Sequence, residues 1–280
     1  MGETTSGETA SGTDSGSEAE GGREVAGEAA PDRRVLAITG EDRASFLQGL
    51  VTNDVDRIAE DGIVYAAMLT PQGRYLADFF LLERGPAILL DVHESRAEAL
   101  VQRLGMYRLR SRVEIGETTF CVQRGQGKGA GMPADALADP RHPGLGWRRY
   151  TAAPGTPAHT DWDALRVALA VPEAGRELFE ESYILEMGFE RLGGVDFRKG
   201  CYVGQEVTAR MKHKTELRKG LARVSVDGHA EEGSTITVAE KPAGQLCTVA
   251  GDTALAYLRF DRAQGEMTAG SATLRLLEPP

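Results

Sequence analysis

Past Lys219 the chain breaks into short alternating runs: Leu221 to Val226, Ser234 to Val238, Gly244 to Val249, Ala254 to Leu258 and Ala272 to Leu277. Turn residues separate them at near-regular spacing. Alternation with period two gives each run one apolar face. Five or six strands this short, evenly punctuated, close into a small antiparallel barrel or sandwich. This pattern fixes a boundary near Glu216 to Gly220 and leaves everything before it to a separate core.

That earlier portion mixes the two periodicities. Arg34 to Ile38 reads as a strand, and Arg43 to Val51 as a helix with Phe46, Leu47 and Leu50 on one face. Thr39 or Asp42 is placed to cap it, and Thr52-Asn53-Asp54 closes it. Gly62 to Leu69 and Tyr75 to Leu82 are strands joined by the turn Thr70-Pro-Gln-Gly73, with Ala87 to Val92 as a third. Asp78 interrupts its apolar strand, and alternation leaves open whether it points outward on the polar face of the sheet. Ser95 to Leu104 and Trp162 to Ala170 have helical spacing, and Leu145 to Tyr150 and Arg108 to Ile115 read as strands, the latter with Arg108, Arg110 and Arg112 on one face. Residues 1–32 are Gly, Ser, Thr, Ala and Glu without periodicity, too polar to offset chain entropy. The expectation is an α+β protein: a disordered acidic tail over 1–32, a composite α/β portion with antiparallel sheets over 33–216, and a C-terminal β-barrel over 217–280.

Charge narrows the partners. The net charge is −10, but residues 1–30 carry seven acids and one base, so the other 250 residues hold only −4. A local basic groove is permitted, yet no aromatics interleave with Arg210, Lys212, Lys214, Arg218 and Lys219, so direct nucleic-acid binding is not expected. No run suits a membrane span. Three cysteines, Cys121, Cys201 and Cys247, lie far apart without a C-x-x-C pair, so no stably bound metal is expected from this chain alone. The odd cysteine count, the missing apolar leader and the acidic tail point to a reducing, cytoplasmic setting. Arg124 to Gly131 is glycine-rich but lacks the Lys-Ser/Thr ending of a phosphate loop.

Chemistry-bearing groups concentrate in Lys199-Gly-Cys-Tyr-Val-Gly-Gln-Glu206, approached through Gly193-Gly194 and followed by a basic helix. Cations at Arg198 and Lys199 and a nearby helix start favour the thiolate form of Cys201. Gly200 and Gly204 permit close backbone approach to a planar ligand, or simply a turn. Gln205 and Glu206 offer hydrogen bonds to a heterocycle edge, or form the first turn of the helix. A Cys–His nucleophile pair with His213 is the enzyme alternative.

Lys199 to Glu206, continuing through Thr208-Ala-Arg210, resembles the K-G-C-Y/F-x-G-Q-E signature of the YgfZ-type folate-binding proteins. These are iron–sulfur cluster assembly or repair factors related to the aminomethyltransferase (T-protein) of glycine cleavage. Phe46 to Asp54 is similar to the family's N-terminal helix segment, Met68 to Asp78 to its first hairpin, and Gly244 to Ala263 to its barrel. The resemblance implies an aminomethyltransferase-like fold and a pocket for tetrahydrofolate or a derivative, closed by the barrel. The motif, with a functional Cys201 thiolate assisted by Lys199, would stand at its rim. By the same resemblance Asp78, Glu186, Gly200, Tyr202, Gly204, Gln205 and Glu206 are folate-contact candidates, with Arg210 or Lys212 for the glutamate tail. The partners implied are iron–sulfur client or assembly proteins, including tRNA-modifying enzymes. Ala77 stands where the aminomethyltransferases carry the first of two adjacent acids, which speaks against aminomethyl transfer and for a non-enzymatic factor. Upstream, Ile184 and Gly188 replace the proline and asparagine of a Pro-x-Glu-x-Asn pattern while Glu186 is kept. A non-catalytic scaffold is the third alternative.

Overall fold

The computed structural model describes residues 1–2, 26–127, 131–213 and 217–277. The acidic segment 3–25, part of the glycine-rich loop (128–130) and the boundary residues 214–216 lie outside the described residues. The folded chain begins earlier than expected, with β1 (Glu28–Ala29). Its Glu28 carboxylate accepts from Thr160 Oγ1 (2.6 Å) and Trp162 Nε1 (2.8 Å), which ties this entry segment to the body. Burial alone would raise this carboxyl, and those donors together with His159 outweigh it and hold it below the usual carboxylate range.

The large portion is built on a five-stranded antiparallel sheet ordered β3-β4-β5-β2-β6. Its strands are β2 (Arg33–Thr39), β3 (Ile63–Leu69), β4 (Tyr75–Arg84), β5 (Ala87–His93) and β6 (Glu114–Glu117). One face packs on α1 (Arg43–Gln48), α2 (Ile58–Asp61) and α3 (Glu94–Tyr107) through Phe46, Leu47, Ile58, Leu100 and Leu104. The other face meets Phe189, Leu192, Val122 and Tyr150 from later segments. Both faces are covered, which is why every residue of β3 is buried. Asp78 therefore does not face solvent; it lies 4 % exposed in the core.

A second sheet, β1-β7-β9-β8, is built from β7 (Cys121–Gly125), β8 (Leu137–Ala138) and β9 (Trp147–Thr151). The two sheets are joined by a buried ion cluster. Asp91 of β5 accepts from Arg33 Nε (2.7 Å), Arg148 Nη2 (2.6 Å) and the Tyr150 hydroxyl (2.9 Å). After α4 (Trp162–Ala168) the chain runs in turns to α5 (Gln205–His213). Arg108–Arg110, expected in a strand, instead form a 3-10 turn that prolongs α3, so these arginines splay around an exposed helix end. Asp42 precedes α1 but does not cap it; its carboxylate accepts from the Arg112 amide (2.8 Å).

The C-terminal strands form the expected closed barrel, ordered β10-β13-β12-β11-β14-β15 and shut by pairing of β15 with β10. They are β10 (Lys219–Asp227), β11 (Thr235–Val238), β12 (Lys241–Ala250), β13 (Thr253–Arg259), β14 (Met267–Ala269) and β15 (Ala272–Leu276). Arg166 of α4 ties the barrel to the large portion, reaching Glu177 (2.8 Å) and Thr248 Oγ1 of β12 (2.5 Å).

Candidate functional site

The loop from Lys199 to Gly204 is held at both ends. Lys199 is 7 % exposed, and its ammonium donates to three main-chain carbonyls: Gln48 (2.9 Å), Val51 (2.6 Å) and Asn53 (2.8 Å). These are the carbonyls that the end of α1 and the following turn leave unpaired. Burial pulls the Lys199 amine down to about 8, against the opposing attraction of Asp54, Asp196 and Asp56. The approach is clamped as well. The Thr52 hydroxyl donates to the Gly194 carbonyl (2.6 Å), and Asn53 Nδ2 donates to Gly193 (2.7 Å) and Tyr65 (2.8 Å).

At the far end, two glycines interlock. Gly204 (φ +84°) would place a Cβ 2.6 Å from the Thr70 carbonyl oxygen, and Gly73 (φ +73°) would place one 2.7 Å from Val207 Cβ. The β3–β4 turn thus lies directly on the start of α5. Gly204 is required by this packing and by its left-handed backbone. Gly200, by contrast, has open space around it.

Between the clamps Cys201 is exposed. Tyr202 turns inward, with Lys199 Nζ 5.3 Å from its ring centre. Because the Lys199 ammonium is engaged with carbonyls, the solvent-facing cation next to the motif in sequence is Arg198. Gln205 opens α5, and Glu206 forms an exposed pair with Arg210 (3.0 Å) one turn on. Lys212 pairs with Glu190, and His213 is exposed at the helix end. The other thiols are of a different kind: Cys121 is half-buried in β7, and burial with Glu177 nearby pushes Cys247 up to about 12. Among the described residues no cluster of three or more His, Cys, Asp or Glu side chains suits a metal ion.

The two distant acids do not meet the motif. Asp78 accepts from the hydroxyls of Tyr65 (2.9 Å) and Tyr75 (2.7 Å), deep in the core. Glu186 accepts from the Tyr257 hydroxyl of β13 (2.6 Å) and lines a cleft of about 510 Å³ between the large portion and the barrel. Arg74, Tyr183, Arg218 and Lys219 line the same cleft, and Arg74 follows the Gly73 that rests on the motif. Thr52, Asn53, Arg74 and Tyr257 were not singled out by sequence. Thr52 and Asn53 read as ordinary turn residues, and only their burial exposes them as the clamp.

The chain's relatives fit this architecture. Residues 218–280 match the family model described as CAF17, C-terminal beta-barrel domain. An iron–sulfur cluster assembly factor IBA57 homolog, mitochondrial, from Mycosarcoma maydis is 33% identical over 224 residues, covering 70% of this chain and 56% of that protein. The mouse iron–sulfur cluster assembly factor IBA57, mitochondrial, is 28% identical over 284 residues, covering 84% and 78%. The chain spans about half the length of the fungal relatives first matched. A solved aminomethyltransferase T of the glycine cleavage system from Bartonella henselae superposes with TM-score 0.69 over 89% of this chain and 84% of that one, at 11% identity, which shows the shared fold. The chain is thus related to the IBA57-type assembly factors and built on the aminomethyltransferase fold.

The cytoplasmic expectation is overturned here, because these IBA57-type relatives are all named as mitochondrial. The cysteine argument speaks to redox setting and not to compartment. A reducing compartment behind a membrane satisfies the same argument.

Proposed function

We propose that this chain is an accessory factor for the assembly or repair of iron–sulfur cluster proteins, tRNA-modifying enzymes included, with Cys201 as its working group. The observation that carries this reading is the exposure of Cys201 on a loop clamped at both ends. Such a thiol is held out to a partner without an ordering cost on contact. A thiolate suits iron, and a cluster takes about four such ligands. With Cys121 and Cys247 half-buried in separate strands, this chain supplies one ligand and the partner supplies the rest. The names of the relatives support the same activity.

A reduced folate is the small ligand we assign to the cleft below the barrel. Glu186 Oε2 is engaged by Tyr257, and the remainder of its carboxylate is available to the N–H edge of a pterin. Arg74, Arg218 and Lys219 offer charge to the glutamate tail, and Tyr183 and Tyr257 offer ring faces. Asp78 does not fit this role, since both its oxygens already accept tyrosine hydroxyls inside the core.

The test is complementation. In cells lacking the gene, iron–sulfur enzyme activities fall and the wild-type chain restores them; unchanged activities on deletion would end this reading. Calorimetric titration with tetrahydrofolate tests the cleft separately, with binding weakened by Glu186→Gln and by Arg74→Ala. Absence of binding to the wild-type chain removes the folate assignment alone.

A further inference from the structure

The end of α3 presents an unusual surface. Gly105 through Arg110 are all exposed in succession, with Leu109 at 90% of its free area, Met106 at 55% and Tyr107 at 37%. Arg108 and Arg110 flank Leu109, and neither guanidinium has a hydrogen bond or ion pair among the described residues. Arg103, one turn earlier, is also unpaired among them. Some other surface arginines are paired, Arg112 with Glu41 and Asp42, Arg57 with Asp61, and Arg210 with Glu206, while exposed Arg84, Arg198 and Arg218 have no ion pair among the described residues. The tip therefore combines arginines without an ion pair, Arg108 lining a hollow that also holds Glu41 and Glu114, with largely exposed apolar side chains.

The tip and the cysteine loop are tied to opposite ends of α1. The residues just after it hold the N-terminal end of α1, through the Arg112 amide on Asp42 and the close approach of Gly40 to the Arg112 carbonyl. Lys199 holds the C-terminal end of the same helix. With six residues, α1 is about 9 Å long. Val203, two residues after the thiol, packs into the same hydrophobic cluster as Leu104 of α3 and Phe46 of α1. Thiol loop and tip are thus two flanks of one short helix. A standard protein interface of about 800 Å² per partner spans both.

We infer that the tip formed by Met106, Tyr107, Arg108, Leu109 and Arg110 is the docking surface for an acidic partner protein, one that offers an apolar recess for Leu109 and covers Cys201 at the same time. The inference rests on the proposed function, because it supplies the partner that the exposed thiol needs. Arginine, tyrosine and methionine are the residues enriched at the centres of protein interfaces, and unpaired arginines beside Leu109 select carboxylates on the other side. An RNA partner would use stacked aromatics along a cationic groove, and a membrane would need a long amphipathic face. The tip has one tyrosine and a single 3-10 turn.

The test places a benzophenone amino acid at Leu109 or, separately, at exposed Phe197 near the thiol, in the full chain in cells. Adducts are identified by mass spectrometry, and the identified protein is purified and titrated. The expected result is one acidic protein captured from both positions. The double variant Leu109→Asp, Arg110→Glu weakens its binding by at least about tenfold at an unchanged unfolding midpoint, and added salt weakens wild-type binding. Cys201→Ala keeps the adduct while losing cluster assembly, so failure of the thiol reading is distinguishable from failure of the docking reading. Different proteins at the two positions, or affinity indifferent to the double variant, would overturn the inference. So would loss of binding to anionic phospholipid vesicles or to tRNA as the variant's main effect.

Discussion

The ammonium of Lys199 lies 2.6 Å from the carbonyl oxygen of Val51, joining the cysteine loop to the end of a helix 148 residues earlier in the chain. Gln48 and Asn53 complete the set, so one side chain caps three carbonyls. Lysine next to a functional thiol suggests electrostatic activation. Here it is first a structural bolt.

Lys199→Met follows directly. It keeps the length of the stem and removes all three donors, leaving buried carbonyls without partners. Each such loss costs about 1–3 kcal/mol, and some water entry will offset part of it. The expected destabilisation is about 3 kcal/mol, seen as a lower urea midpoint at unchanged slope.

The same amine gives a pH signature. Its folded value of about 8 lies below the ordinary 10.5. Between these values the unfolded chain binds the proton more tightly, so this group makes stability rise with pH from about 8 towards 10.5, by at most about 1.4 kcal/mol per pH step. Below pH 8 both states are charged and it contributes no slope. Urea midpoints of wild type minus Lys199→Met, taken from pH 7 to 9.5, should be flat and then climb. A flat difference throughout contradicts the assignment.

Gly204→Ala tests the other clamp. Its methyl would sit 2.6 Å from the Thr70 oxygen, at a φ of +84° that alanine avoids. A loss of about 2–4 kcal/mol is expected, together with faster amide exchange in the loop around Cys201. Gly200→Ala, in open space, should change stability by under about 0.5 kcal/mol.

The contrast shows what sequence patterns carry. The barrel was legible because its strands alternate and its turns are spaced evenly. Alternation does not place Asp78, because it assumes one solvated face and this sheet has none. Arg108 to Arg110 read as a strand because three arginines at spacing two suit one, but α3 simply continues through them. Thr52 and Asn53 escaped notice because turn residues are common and their glycine partners lie 142 and 140 positions away.

Asp91→Asn addresses the joint between the sheets. Burial alone would raise the Asp91 carboxyl, and Arg33 and Arg148 outweigh it and hold it below the ordinary range. Removing its charge takes the nearest carboxylate from part-buried Arg33 and from buried Arg148, which keeps Asp139 at 3.6 Å, and should cost about 3 kcal/mol. The sign of the shift means that this stability is present above the unfolded value of about 4 and is lost as pH falls through the lower folded one. Acid unfolding monitored by near-ultraviolet circular dichroism should therefore begin at higher pH in the variant.

The central claim concerns the thiol, and one substitution tests it most directly. Cys201→Ala, in cells lacking the native gene, is expected to leave the fold and thermal midpoint intact while failing to restore iron–sulfur enzyme activity, since an exposed side chain contributes little to stability. Cys121→Ala should restore that activity. Full recovery with Cys201→Ala would contradict the account.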